Sequence, residues 1–323
     1  MEHQPGTRSR LAYFPISFFA VVMGLGGLSV AWQKAQQLAG ADLHINTALA
    51  TCTAAVFVVL AFFYLSKLAR FRAAVLAELD HPVKLNFFPT ISISLLLLSI
   101  TSLGVVPAAG RPLWLIGAAA HLLFTLHIIN VWIHRDHLQI QHLNPAWFIP
   151  AVGNVLVPIA GVPLGYVEPS WFFFSIGMLF WIVLMTIVFY RVLFHTPIDK
   201  RLMPTLFILI APPAVGFVAY LRLVDHIDAF ARVLYYSALF LTLLMFMQAR
   251  RFIALGFFLS SWAYSFPLAA ITIASLLMYE RTGLEPYAWI GTALLIVLTT
   301  VVTMLAYRTV EAIVQDRICV PEQ

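Results

Sequence analysis

Ten apolar stretches follow one another along the chain with only short polar breaks between them. They run over residues 11–33, 45–67, 85–107, 112–134, 145–166, 169–193, 203–222, 229–249, 253–279 and 286–309. A spanning helix needs about 20 apolar residues. In lipid every backbone N–H and C=O must be satisfied within the protein, which selects helices. The pattern therefore predicts an all-α integral membrane protein with ten transmembrane helices. The breaks leave no room for a soluble domain. Residues 1–323 read as one transmembrane domain, with an N-terminal tail at 1–10 and a C-terminal tail at 311–323.

Proline sorts the stretches into two kinds. Pro15, Pro89, Pro150, Pro212 with Pro213, and Pro267 mark stretches one, three, five, seven and nine, and the even-numbered stretches have none inside them. Proline removes a backbone donor and kinks a helix. Broken backbone at membrane depth is tolerated only where protein or a watery cavity satisfies it. The local pattern recurs as FPIS at 14–17, FPTI at 88–91, IPAV at 149–152, APPAV at 211–215 and FPLA at 266–269. Each repeat takes in two stretches, so it reads as one helical hairpin, and every repeat enters the membrane from the same side. The simplest packing is five hairpins with an inner ring of five odd-numbered helices around a pore, walled by the even ones. The odd stretches also hold Gly24, Gly26, Gly27, Ser92, Ser94, Gly153, Asn154, Ser261 and Ser265. Small residues permit close helix approach, and polar ones avoid lipid. Helix packing is the plain alternative for each glycine, an ordinary kink for each proline, and a helix–helix hydrogen bond for Asn154.

Composition agrees with the pattern: 62% of residues are hydrophobic and 10% charged, where a soluble domain carries roughly 25% charged. Charge adds orientation. Fourteen of the 19 basic residues fall on the side of the N-terminus: Arg8, Arg10, Lys67, Arg70, Arg72, Lys84, Arg135, Arg191, Lys200, Arg201, Arg250, Arg251, Arg308 and Arg317. Lys34, Arg111, Arg222, Arg232 and Arg281 fall on the other. The positive-inside rule then puts both termini in the cytoplasm of a cell-membrane protein. The net charge of +5 follows from that bias rather than from nucleic-acid binding, and a basic mouth attracts anions. The first stretch is too long for a cleavable signal. Cys52 and Cys319 stand far apart along the chain, so no disulfide or redox role is expected.

No Asp, Glu, Lys or Arg stands in the middle of a stretch. Proton pumps and coupled symporters need intramembrane charges, and a membrane hydrolase needs buried acids, bases or metal ligands. A cation path would want acidic rings. An anion path without fixed charge fits, because each proline break restarts a half-helix whose N-terminus is partly positive. His121, His127 and His134 share the fourth stretch, and packed or interfacial histidines are the expectation there. His134, His137 and His142 with Asp136 match no zinc spacing. No catalytic residue, metal or cofactor is expected.

FPISFFAVVMGLGGLSVAW at 14–32, HPVKLNFFPT at 81–90, NPAWFIPAVGNVLVP at 144–158, IAPPAVGFVAY at 210–220 and WAYSFPLA at 262–269 together carry a resemblance. The chain resembles the tellurite-resistance/dicarboxylate transporter family, which includes the slow-type anion channels of plant guard cells. The resemblance implies ten helices in five hairpins, an inner ring of odd helices, and a homotrimer with one pore per subunit. It implies a pore closed by a phenylalanine in the ninth span, here Phe266. A bulky apolar ring in a narrow neck excludes water and hydrated ions. Pro267 beside it would bend the helix where the ring turns. By the same matching Pro15, Pro89, Pro150, Pro212 and Pro213 line or kink the pore wall, with Ser265, and Asn154 is its best polar candidate. The long regulated termini of the plant channels have no counterpart in the given chain, so control through them is not expected.

Two functions remain open, with small anions and lipid as the only partners besides other subunits. One is a passive anion channel with an uncharged, phenylalanine-gated pore. The other is a carrier or efflux protein for C4-dicarboxylates, sulfite or tellurite, which would want paired cationic groups. A haem-binding or enzymatic role needs clustered titratable groups in the membrane, and only the fourth stretch supplies histidines.

Overall fold

A computed structural model describes residues 9–41, 43–136 and 138–320. Arg8 and His137, singled out above, lie outside the described residues. The chain is 83% helix, with no strand among the described residues. Its α-helices are α1 (Phe19–Ala39), α2 (Ile45–Arg70), α3 (Arg72–Asp80), α4 (Thr90–Ser102) and α5 (Pro107–His134). Two short pieces follow, α6 (Phe148–Val152) and α7 (Val157–Gly161), and then α8 (Val167–Phe194), α9 (Ala211–Val224) and α10 (Ala229–Met247). The last three are α11 (Ala249–Ile253), α12 (Ser265–Thr282) and α13 (Glu285–Val314).

Among the described residues nine helical stretches are long and apolar enough to cross a membrane, against ten expected. The difference is the fifth stretch. Pro150, Gly153 and Pro158 interrupt it, and Pro145–Gly161 is a chain of short helical pieces rather than one long helix. The fourth stretch also differs. Its helix begins at Pro107, earlier than expected, so Pro112 lies inside it. Proline there removes one intrahelical bond, and the helix runs on to His134 around it.

Burial divides the stretches as the prolines do. Ile16–Ala39, Lys84–Ser102, Met203–Val224 and Leu259–Thr282 are 72–83% buried over their most apolar windows, the others only 22–39%. The pieces of the fifth stretch are buried nearly throughout. The buried helices touch in the order α1, α4, α7, α9, α12 and back to α1, and each packs against the exposed helix that follows it. Large apolar side chains such as Phe62, Leu123, Leu179 and Phe240 are exposed on those outer helices. A surface of that kind is made for lipid or a partner chain.

In the buried stretches the recurring prolines stand at helix starts rather than inside a running helix. Each buried stretch enters as a 3-10 turn (Ile16–Phe18, Lys84–Phe87, Pro145–Trp147, Met203–Ile210 and Leu259–Tyr264) and then converts to α-helix. Pro89 precedes α4, Pro150 lies in the first turn of α6, Pro212 and Pro213 in that of α9, and Pro267 in that of α12. A first-turn amide has no i−4 carbonyl to bond, so proline costs little there.

Close approach of α1 to α12 depends on glycine. A Cβ on Gly24 would lie 2.4 Å from Ser265 Oγ, and one on Gly27 would lie 2.8 Å from Ala269 Cβ. Indole N–H groups fasten inner segments to outer helices. Trp262 Nε1 donates to Thr309 Oγ1 at 2.9 Å and Trp32 Nε1 to Thr299 Oγ1 at 3.1 Å, while Trp114 Nε1 on α5 donates to the Val157 carbonyl at 2.9 Å.

Candidate functional site

Three cavities succeed one another inside the cycle of buried helices. A vestibule of about 1450 Å³ opens on the face that carries both described chain ends, bordered by Tyr13, Pro15, Ser17, Arg201, Asp316 and Cys319 among others. A central cavity of about 70 Å³ follows, bordered by Met23, Ile93, Val152, Pro212, Phe266 and others. A third, of about 30 Å³, lies beyond it against Gly27, Leu97, Val218 and Ile273. The lining advances in step on every helix. On α1 and its entry turn it runs from Ser17 through Met23 to Val30, which is about 20 Å at helical rise.

Among the described residues the two inner cavities share Leu156, Val215 and Phe266. Those three side chains form the boundary between them. Phe266 is half-buried and borders both spaces, the position from which a ring can close a path. Pro212 and Pro267 line the central cavity, and Pro15 lines the vestibule.

The other expected residues lie in the wall behind the lining. Ser265 is fully buried, and its Oγ donates to the Trp262 carbonyl at 2.6 Å. Asn154 is fully buried too. Its amide donates to Thr125 Oγ1 at 3.0 Å and to the Ala151 carbonyl at 2.8 Å, the helix–helix bond named as its alternative. Thr125 Oγ1 in turn reaches the Pro150 carbonyl at 2.7 Å. Pro89 accepts from Ser92 Oγ at 2.8 Å. Pro213 is buried within α9.

Half-helix N-termini contribute less than expected. The amides at the junctions are already bonded to the preceding 3-10 turn: Phe19 to the Ile16 carbonyl, Val157 to Asn154, Ala211 to Ile208 and Ser265 to Trp262. An amide so engaged has little left to offer an anion.

Charged groups sit away from the two inner cavities. Glu78, Lys84, Arg201 and Arg308 border the vestibule, and Lys34 pairs with Glu280 at 2.6 Å toward the opposite ends of α1 and α12. Among the described residues no charged side chain borders either inner cavity. Among the described residues no cluster of three His, Cys, Asp or Glu could hold a metal. His121 is buried with Nδ1 2.9 Å from Ser92 Oγ, whereas His127 and His134 are exposed.

Sequence reading missed a clamp at the vestibule. Lys67 counted only as a basic residue on the terminal side. It is 1% exposed, and its Nζ lies 2.9 Å from Glu78 Oε2 and donates to the Phe14 carbonyl at 2.8 Å. Tyr64 OH donates to the same carboxylate at 2.9 Å. Phe71 breaks the helix between α2 and α3, and only that turn folds Glu78 back onto Lys67. No local sequence signal announces such a pairing.

The model of the SLAC1 family, described as voltage-dependent anion channels, matches residues 13–310. The S-type anion channel SLAH3 of Arabidopsis thaliana is 29% identical over 276 residues, 82% of this chain and 43% of that protein. The chain thus spans less than half of the plant channel's length. A tellurite resistance protein TehA homolog of Haemophilus influenzae is 26% identical over 300 residues, 90% of each chain. An uncharacterized transporter of Methanocaldococcus jannaschii is 26% identical over 308 residues, 88% of this chain and 90% of that one.

Proposed function

The chain belongs to the SLAC1 family of voltage-dependent anion channels, and from that premise we propose that it conducts small inorganic anions passively through an uncharged pore closed by Phe266. One observation carries the reading. Three cavities lie in file inside the buried helices, and the ring of Phe266 stands on the boundary between the inner two. The inner lining is apolar and without charge, so a narrow neck there excludes water and raises the cost of a hydrated ion.

In this reading residues 1–323 form one domain of ten membrane segments in five hairpins, the fifth inner segment being broken. The inner five ring the pore. Both termini face the cytoplasm of a cell membrane, as the basic residues on that side require. The exposed apolar faces of the outer helices meet lipid and, in a homotrimer, neighbouring subunits. Pro15, Pro212 and Pro267 shape the lining directly, while Pro89, Pro150, Pro213, Asn154 and Ser265 hold the wall behind it. A carrier for C4-dicarboxylates or tellurite-like oxyanions is the alternative. It wants paired cationic groups, and among the described residues neither inner cavity is lined by one.

The test is anion flux into proteoliposomes, wild type against Phe266→Ala, with chloride, nitrate and a C4-dicarboxylate. Non-saturating chloride or nitrate flux should rise by about tenfold in the variant, the effect of a barrier lowered by about 1.4 kcal/mol. Unchanged flux in a folded variant removes the gate. Saturating dicarboxylate uptake insensitive to the substitution turns the reading to a carrier.

A further inference from the structure

Between the vestibule and the central cavity the path passes four residues that border both, Ser17, Phe87, Leu259 and Ser260. Two of them carry hydroxyls. Ser260 Oγ donates to the Arg201 carbonyl, so its proton is committed. Thr90, the remaining hydroxyl of the central cavity, is fully buried and donates to the Phe87 carbonyl. Ser17 is different. It is half-buried, and although its backbone carbonyl accepts from the Phe19 amide, its Oγ is not sealed inside the protein and makes no hydrogen bond among the described residues. A serine hydroxyl brings one donor, and this one is uncommitted on a residue that borders both cavities.

The backbone around Ser17 is held on both sides. Lys67 Nζ pins the Phe14 carbonyl, the Phe14 and Phe18 rings stack at 4.8 Å, and Pro15 has φ −83°. The hydroxyl is therefore presented from a fixed position at the threshold, beyond which the lining is almost wholly apolar.

Resting on the anion-conducting reading above, we propose that Ser17 Oγ–H is the hydrogen-bond donor that receives the partly dehydrated anion at this threshold, and so sets the order of preference among small inorganic anions. An anion entering the central cavity sheds water. A donor at that point replaces part of what is lost, and hydrogen bonds to charged acceptors are the strong ones. The replacement favours compact anions of high charge density, such as chloride, over diffuse ones, such as iodide or nitrate. Without the donor the neck ranks anions by ease of dehydration alone.

The experiment measures bi-ionic reversal potentials of the full chain in planar bilayers, in the Phe266→Ala background so that current is large. Ser17→Ala should raise the iodide-to-chloride and nitrate-to-chloride permeability ratios by roughly three- to tenfold. Ser17→Thr keeps the donor and should hold both ratios within about twofold of the parent. Currents with unchanged ratios in Ser17→Ala overturn this inference alone. Equal shifts in Ala and Thr also overturn it, because side-chain shape and not the donor would then be responsible. Absence of anion current in the Phe266→Ala parent overturns the channel reading, and this inference with it.

Discussion

Ser265 and Phe266 are neighbours in sequence that face different surroundings. Successive helical residues point about 100° apart. One therefore meets α1, where Gly24 leaves room for the Ser265 hydroxyl, and the other meets the cavity boundary. Of 26 phenylalanines nothing in composition distinguishes Phe266. Its motif did, and packing set its ring between two spaces. Lys67 shows the opposite case, a residue with no motif whose importance lies wholly in its partners. Removing one member of a buried ion pair leaves the other uncompensated and costs about 3–5 kcal/mol. Lys67→Met should therefore lower the thermal unfolding midpoint in detergent markedly, because Glu78 keeps only the Tyr64 hydroxyl and loses its counter-charge, and the Phe14 carbonyl loses its donor. The double variant Lys67→Met/Glu78→Gln should recover most of the loss. A single variant as stable as wild type would show the clamp to be dispensable.

At the scale of elements, the recurring prolines mark where 3-10 turns give way to α-helix. The fifth segment carries the consequence furthest. Pro150, Gly153 and Pro158 lie within nine residues, too dense for one helix, and the segment survives only because neighbours satisfy it. Thr125 takes the Pro150 carbonyl and Trp114 the Val157 carbonyl. Gly153 is part of the same fit. A Cβ there would lie 2.6 Å from His121 Cε1 and 2.8 Å from Ile93 Cδ1. Gly153→Ala must therefore push the imidazole off Ser92 and should destabilise by about 1–3 kcal/mol. Gly153→Ala/His121→Ala should cost less than the two single changes added together, because the second change opens the space that the first needs. Additive losses in thermal unfolding would mean that the two residues do not compete for space.

For the whole molecule, sidedness gives the sharpest test. Cys319 lies outside the spanning helices, at the vestibule, and Cys52 lies exposed on α2. Burial pushes the Cys319 thiol up, and the nearby Arg10 and Lys67 charges oppose this in part. A raised value means less thiolate at a given pH, and only the thiolate reacts. In oriented vesicles a membrane-impermeant maleimide should label Cys319 from the cytoplasmic face alone. It should react more slowly at pH 7 than a free thiol does, and the rate should rise about tenfold per pH unit below the thiol's own value. A Cys319→Ser variant identifies the site. Labelling from the opposite face would reverse the assigned orientation.

Hydropathy by itself determined that the chain lies in a membrane, because apolar length is counted residue by residue and needs no partner. Proline phase and charge sidedness likewise showed which stretches differ and which ends share a side, each being a property of one segment and its flanks. The fifth stretch read as a whole helix because its apolar length is sufficient, while the continuity of its backbone depends on partners outside it. Only the tertiary structure decided that Asn154 and Ser265 are buried and hydrogen-bonded while Ser17 borders two cavities, that Lys67 is buried against Glu78, and that the cavities fall in file with Phe266 between the inner two. Those facts depend on how helices far apart in sequence rotate against one another. In an almost uniformly apolar chain, hydrophobic pattern carries little information about which face of a helix turns inward. Close packing against glycine and a few buried hydrogen bonds make that choice.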